Sequence, residues 1–306
     1  MAKSIADMPA FDPVATNQTA RCKLPRNRRY HWLELQFKTN DSQANIQSAI
    51  TQIRILINSK VVRTFSATQL FTILATNARA FSLGMIPIHF AEPWRATPEG
   101  REFLALNAFE LLGVGDVEIQ VDISGAIANP TLTGRMCFDY ERPADVWADV
   151  KLPDGSWVVS GVSDAVRNAA WIKRTFMHWV PRGVPCNAAF TADMPLTPAD
   201  FIPAVNGWLH RVHSFDAVVT ATQVRTAETP FFKANTVQVA QDLINYGLAK
   251  QANVFPTVID FTQQYDDGIY IPSITDLKFD FVTSGAATGN NIANIIEVRK
   301  RIELAA

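Results

Sequence analysis

An all-β chain of two jelly-roll barrels in tandem, each with a short inserted helix, is the fold that three observations predict. First, short stretches rich in Val, Ile, Phe and Thr recur between Pro, Gly, Asn and Asp punctuation, and the 17 prolines fit a loop-rich β protein. Second, two helix-start signals, Ser66-Ala67-Thr68-Gln69 and Asn235-Thr236-Val237-Gln238, stand 169 residues apart, and Pro87 and Pro256 in the strands beyond them keep that offset. Third, 306 residues with 48% hydrophobic and only 19% charged content can fill two cores of ordinary size. A duplicated unit of about eight strands with one helix has the size and connectivity of a jelly roll.

Taken in order, residues 1–20 read as an N-terminal arm without regular structure. Arg21, Lys23, Arg26, Arg28 and Arg29 follow, five cations in nine residues. Tyr30, Trp32, Leu33, Leu35 and Phe37 suit a buried strand. Ile53, Ile55 and Ile57 alternate with polar residues, and Asn58-Ser59 separates them from Val61 and Val62, which predicts a hairpin with a two-residue turn. Ser66 and Gln69 have capping-box spacing, with Leu70, Phe71 and Leu74 behind them on one helical face. Met85 to Phe90 is β-rich; Val117, Ile119, Val121 and Ile123 have the period of two of a half-buried strand, and Met136 to Tyr140 is expected to pair nearby.

Arg142-Pro143, Pro153-Asp154-Gly155 and Gly161 make residues 141–168 turn-rich, so the boundary is expected there, with a first jelly roll over 21–145 and a second over 146–306. Within the second, residues 181–207 hold five prolines and read as a long irregular loop, the kind used for function or contact. Phe215 to Thr226 is the hairpin candidate before the second helix, which continues through Val239, Leu243 and Ile244. Val254 to Phe261 and Leu277 to Leu304 complete the strands.

A net charge of -1 removes the overall attraction that a general nucleic-acid binder needs. No apolar stretch reaches 18 residues, and the first ten contain Lys3 and Asp7 rather than a signal-peptide core, so transmembrane and secretory readings fail. Cys22, Cys137 and Cys186 are widely spaced and read as free thiols of a reducing cytoplasm.

The chemistry of a catalytic site is sparse. No His-x-His pair, His-Glu-x-x-His helix, Gly-x-Ser-x-Gly elbow or Walker A loop occurs. His210 and His213 are three apart, which on a regular strand puts them on opposite faces, so they read as structural. Gly113-Val114-Gly115 leads into a strand and reads as a turn. Asp266-Asp267-Gly268 is the densest acidic cluster; a solvated turn is its plain reading, and Asp266 and Asp267 are also candidate Ca²⁺ ligands. The basic segment Arg21 to Arg29 reads most plainly as a solvated entry to the first strand; it could also meet lipid headgroups or nucleic acid, at about 1 kcal/mol per cation near an anionic surface.

Leu24-Pro25, Tyr30-His31-Trp32-Leu33-Glu34-Leu35, Ile53 to Val62, Ser66 to Leu70, Gly84 to Phe90 and Val117 to Ile123, in that order, resemble the N-terminal half of corticovirus-type major coat proteins. The resemblance covers residues 22–140. It implies a non-enzymatic double jelly-roll capsid subunit of a membrane-containing icosahedral bacteriophage, assembled in the host cytoplasm. Its homotrimers would tile the virion as pseudo-hexamers over an internal membrane, beside neighbouring capsomers and minor capsid, vertex or membrane proteins, without reading nucleic-acid sequence. Structural calcium is the only cofactor it implies. A mean hydropathy of +0.03 agrees with extensive subunit interfaces. Two rival classes stay open: a glycan-active jelly-roll enzyme using acids such as Asp266 or Glu118, and a carbohydrate-binding protein presenting Trp147, Trp157, Trp171, Trp179 or Trp208 in a groove.

Overall fold

The computed structural model describes residues 3–38, 41–94, 104–110, 114–140, 175–190, 207–226, 229–259, 268–270 and 277–301. Two compact units account for them: Met1–Arg63, Phe81–Met177 and Arg301–Ala306 in one, Thr64–Ala80 and His178–Lys300 in the other.

The first half of the chain carries β1 (Ser4–Asp7), β2 (Gln18–Lys23), β3 (Arg28–Phe37), α1 (Gln43–Ala49), β4 (Ile50–Ile57), β5 (Lys60–Phe65), α2 (Ala67–Thr76), β6 (Met85–His89), β7 (Leu106–Ala108), β8 (Val117–Ile123) and β9 (Leu132–Asp139). Strands β1, β9, β3 and β6 pair in that order, with β7 also on β3, and β5, β4, β8 and β2 pair in a second set. Strand β8 alternates buried and half-buried residues along its length, as its sequence period requires. The β4–β5 hairpin turns at Asn58 (φ 52°) and Ser59 (φ 62°), the two left-handed residues of a type I′ turn. Tyr30, Leu33, Leu35, Phe37, Ile53, Ile55, Ile57, Ile86 and Ile88 are all buried, each contributing about 1.5–3 kcal/mol of hydrophobic burial.

The second half carries β10 (Thr175–Pro185), β11 (Gly207–Phe215), β12 (Val219–Thr226), β13 (Thr229–Asn235), α3 (Thr236–Asn245), β14 (Phe255–Val258), β15 (Ile269–Tyr270), β16 (Leu277–Thr283) and β17 (Asn291–Arg301). Strands β14, β11, β17 and β10 pair in order with β15 on β11, and β13, β12 and β16 pair in a second set. Leu209, Val212, Val224, Phe279, Phe281, Ile296 and Val298 meet Val239 and Leu243 of α3 in one core.

The duplication extends to individual hydrogen bonds. Strands β4 and β12, β5 and β13, and the caps Ser66 and Asn235 all begin 169 residues apart, and both caps form full capping boxes. Glu34 of β3 registers with Pro87 and His213 of β11 with Pro256. Both strands carry a bulge, at His31 and at His210, and the carbonyls of these histidines accept from Phe90 N–H and Ile259 N–H; the two donors stand 169 residues apart and the two histidines 179.

Several expectations are corrected. Residues 1–20 are not without structure, because Ser4–Asp7 pairs antiparallel with β9 and Gln18–Lys23 with β8, which satisfies their backbone groups. Gln43–Ala49 forms an unexpected helix, α1, whose N-cap Ser42 hydroxyl accepts from Asn45 N–H. The second hairpin joins β12 and β13 rather than lying within 215–226. The Pro-rich stretch begins inside β10, and residues 191–206 lie outside the described residues, as does the expected boundary at 141–168. The segment Thr64–Ala80 clusters with the second unit although it falls within the expected 21–145 domain.

Candidate functional site

The side chains with most chemistry lie along the bulged strands. In a regular strand Tyr30 and Leu33 would point to opposite faces; the extra residue at His31 resets the alternation, so both are buried in the core while Arg29 and His31 face the other side. Arg29 registers with Asp139 and holds it with two nitrogens, Nη2 to Oδ2 at 2.7 Å and Nε to Oδ1 at 3.0 Å. His31 Nε2 lies 2.8 Å from the same Oδ2, and His31 is 2% exposed. Burial lowers the His31 pKa from its ordinary value, the hydrogen bond to Asp139 opposing that shift only in part. Because a carboxylate only accepts, the ring nitrogen facing it carries the proton, and His31 Nε2–H donates to Asp139 Oδ2.

A second ionic cluster occupies the side of β11 and β17 that faces away from their hydrophobic core, and it is itself buried. Arg211 Nη1 stands 3.8 Å from Glu297 Oε2, and His213 Nε2 lies 3.1 Å from Oε1, all three residues being buried. The Arg299 guanidinium sits 4.2 Å above the Trp208 ring, and Ser214 Oγ donates to Asn294 Oδ1 at 2.7 Å. The bulge at His210 overturns the expectation that His210 and His213 point to opposite faces. Leu209 and Val212, also three apart, both enter this core, which sends Arg211 and His213 to the opposite side of the strand, where they are buried too. His210 lies on that side with Trp208: a Cβ on Gly268 would come within 2.9 Å of both His210 Nε2 and Trp208 Cβ, so only glycine fits there.

The five cations of the basic segment have different surroundings. Arg29 is committed to Asp139, and the Arg28 guanidinium stacks 4.1 Å from the Phe138 ring. Arg26 pairs with Glu110 at 2.6 Å in a half-exposed position. Arg21 and Lys23 alternate outward along β2 around buried Cys22, whose thiol is pushed up to about 11 by burial, with Glu118 adding to the effect.

Asp266, Asp267, Gly113, Trp147, Trp157 and Trp171 lie outside the described residues. Among the described residues no three His, Cys, Asp or Glu side chains gather to hold a metal ion. Trp179 packs edge-on to Phe65 at 5.1 Å and Trp208 lies under Arg299, so neither forms part of an open aromatic groove. Glu118 accepts from Gln120 Nε2 at 2.8 Å on the half-buried side of β8. The three cysteines are free and buried.

Sequence reasoning missed Asp139, Glu297 and Arg63. Arg63 is 2% exposed; its Nε donates to Met177 O at 2.8 Å, its Nη1 to His89 O at 2.7 Å, and its guanidinium lies 4.6 Å from the Phe176 ring. An available signal was the Arg-x-His pattern shared by Arg29–His31 and Arg211–His213, one in each half. These arrangements hold charge in place between strands. They do not present an acid and a base to a common reacting atom.

The model of the viral coat protein P2 N-terminal domain matches residues 5–140. No curated protein sequence matches the chain. Among solved structures, the major capsid protein P2 of bacteriophage PM2 is similar with a TM-score of 0.73 and 16% identity, over 99% of this chain and 98% of that one. The capsid protein structure of Sulfolobus turreted icosahedral virus gives a TM-score of 0.61 at 11% identity, covering 98% and 97% of the two chains. A chain of the PBCV-1 virus capsid gives 0.61 at 9% identity over 97% and 92%. The fold is that of double jelly-roll capsid proteins.

Proposed function

We propose that this chain is a viral major capsid protein, a structural and non-enzymatic subunit that associates with copies of itself to build the shell of a virion. The observation that carries the reading is the coat-protein match over residues 5–140 in a chain whose fold is similar to that of the bacteriophage PM2 capsid protein. Two similar barrels per chain suit a trimer that presents six of them to its neighbours. The assembled shell would be that of an icosahedral bacteriophage virion with an internal membrane, built in the host cytoplasm with minor capsid, vertex or membrane proteins at specialised positions.

Contact with the bilayer is assigned to the exposed cations Arg21, Lys23 and Arg26, because Arg28 and Arg29 are engaged inside the fold. Structural calcium belongs to the same reading, with Asp266 and Asp267 as its candidate ligands. A melting temperature that falls on chelation in the wild type, and does not fall in the Asp266→Asn/Asp267→Asn variant, supports that assignment; the same fall in both proteins rejects those ligands.

The test of the capsid reading is expression of the full chain followed by sedimentation and electron microscopy. Trimers and shell-like arrays are expected. A chain that remains monomeric at every concentration contradicts it.

A further inference from the structure

Helices α2 and α3 occupy the same place in the repeat, and their C-terminal turns match. Ala78 (φ 53°) follows α2 as Gly247 (φ 71°) follows α3. Arg79 N–H donates to Leu74 O, and Leu248 N–H to Leu243 O, both at 2.8 Å. The surroundings of the two ends differ. Thr76 and Asn77 are 2% and 5% exposed, and Thr76 O accepts from Ala249 N–H at 2.8 Å inside the second unit, to which Thr64–Ala80 belongs. Around α3, by contrast, Val237 is 76% exposed, Ile244 64% and Tyr246 44%.

At the equivalent positions α2 carries Thr68, Ala75 and Asn77. Of two helices with the same role, the one with the more apolar outer face is the more exposed, the reverse of what water alone favours. Val239 and Leu243 already fill the inward side of α3, so Val237 and Ile244 form a separate outward stripe with Gln241 between them. The repeat itself indicates the missing cover. Ala249, which meets the end of α2, is the counterpart of Ala80 at the same 169-residue offset. The segment that contains Ala80 also carries Leu83, an apolar side chain 62% exposed.

We propose that the outward face of α3 is the docking surface for residues 78–83 of a second copy of this chain, so that the C-terminal end of each α3 receives from a neighbour the kind of cover that the C-terminal end of α2 has in the second unit. The proposal rests on the capsid-subunit reading and names a surface for its self-association. Because the two surfaces differ, the contact is head to tail, and such contacts close into a ring when the rotation between copies permits.

Sedimentation velocity on the full chain tests it with Ile244→Asp and Leu83→Asp. Both positions are exposed, so circular dichroism and melting temperature should remain those of the wild type, while each variant alone associates at least tenfold more weakly. Mixed in equal amounts, the two retain one intact pair of surfaces and should form a one-to-one dimer that grows no further. Val237→Gln with Ile244→Gln repeats the test with polar helix formers, and Thr68→Asp on α2 should leave assembly unchanged. Folded variants that assemble like the wild type, or a mixture that stays monomeric while the wild type forms trimers, overturn the docking surface and leave the capsid reading standing. A wild type that never associates overturns both.

Discussion

Asp139 shows how a single carboxylate ties a jelly roll together. It receives Arg29 through two nitrogens and His31 through a third, all at a strand pair where the carboxylate is 1% exposed. Removing the charge leaves Arg29 and His31 without it in a nearly dry site, so Asp139→Asn should cost about 3 kcal/mol, read as a fall in the urea midpoint. His31 adds a pH dependence whose sign follows from its lowered pKa. Unfolded, the ring takes a proton below about 6.5; folded, it resists until a lower pH, so the unfolded state binds more protons and stability falls as pH drops through that window. Arg29 and Lys3, both cationic, oppose protonation, and Asp139 favours it without overcoming burial. The difference in urea midpoint between pH 7.5 and pH 5 should be smaller in His31→Gln than in the wild type, and equal differences would remove His31 from the account. Little of this was legible beforehand. The sequence shows Arg29 and His31 side by side, but Asp139 is 108 residues beyond His31, and only the strand register brings them together.

At the scale of elements, local signals read well where the chemistry is local. Ser66 and Asn235 cap α2 and α3 through their side chains, with Gln69 and Gln238 returning the bond to the cap N–H. Ser66→Ala and Asn235→Ala should each lower stability by about 1 kcal/mol, measured by chemical denaturation, and an unchanged midpoint in either would mean that packing alone holds that helix. The Asn58-Ser59 turn was equally plain, since few dipeptides other than such small polar ones accept two positive φ values. Bulges were not legible, because an extra residue on one strand is defined only against its partner. The result was a mistaken parity for His210 and His213, which a regular strand would have separated. Strand β1 was missed for a related reason: Ser-Ile-Ala-Asp is too short and polar to signal a strand, and β9 supplies its pairing.

For the whole molecule, the 169-residue offset made the duplication visible, since a cap and a proline both kept one spacing. What the spacing could not carry was the exchange of Thr64–Ala80 into the second unit, because compactness depends on contacts far apart in sequence. The electrostatics also changed with the fold in hand. Neutralising Arg21, Lys23 and Arg26 should reduce flotation with anionic vesicles at low salt and not at 1 M, where the Debye length is about 3 Å, whereas Arg28→Gln should instead loosen the Phe138 contact and lower stability. Equal flotation of the triple variant and the wild type would take these cations away from the membrane. The central claim, that this double jelly roll is a capsid subunit, is tested most directly by electron cryomicroscopy of the purified, assembled chain. The account predicts a ring of three chains showing six barrels, with residues 78–83 of one copy against α3 of the next; isolated two-barrel particles at every concentration would contradict it.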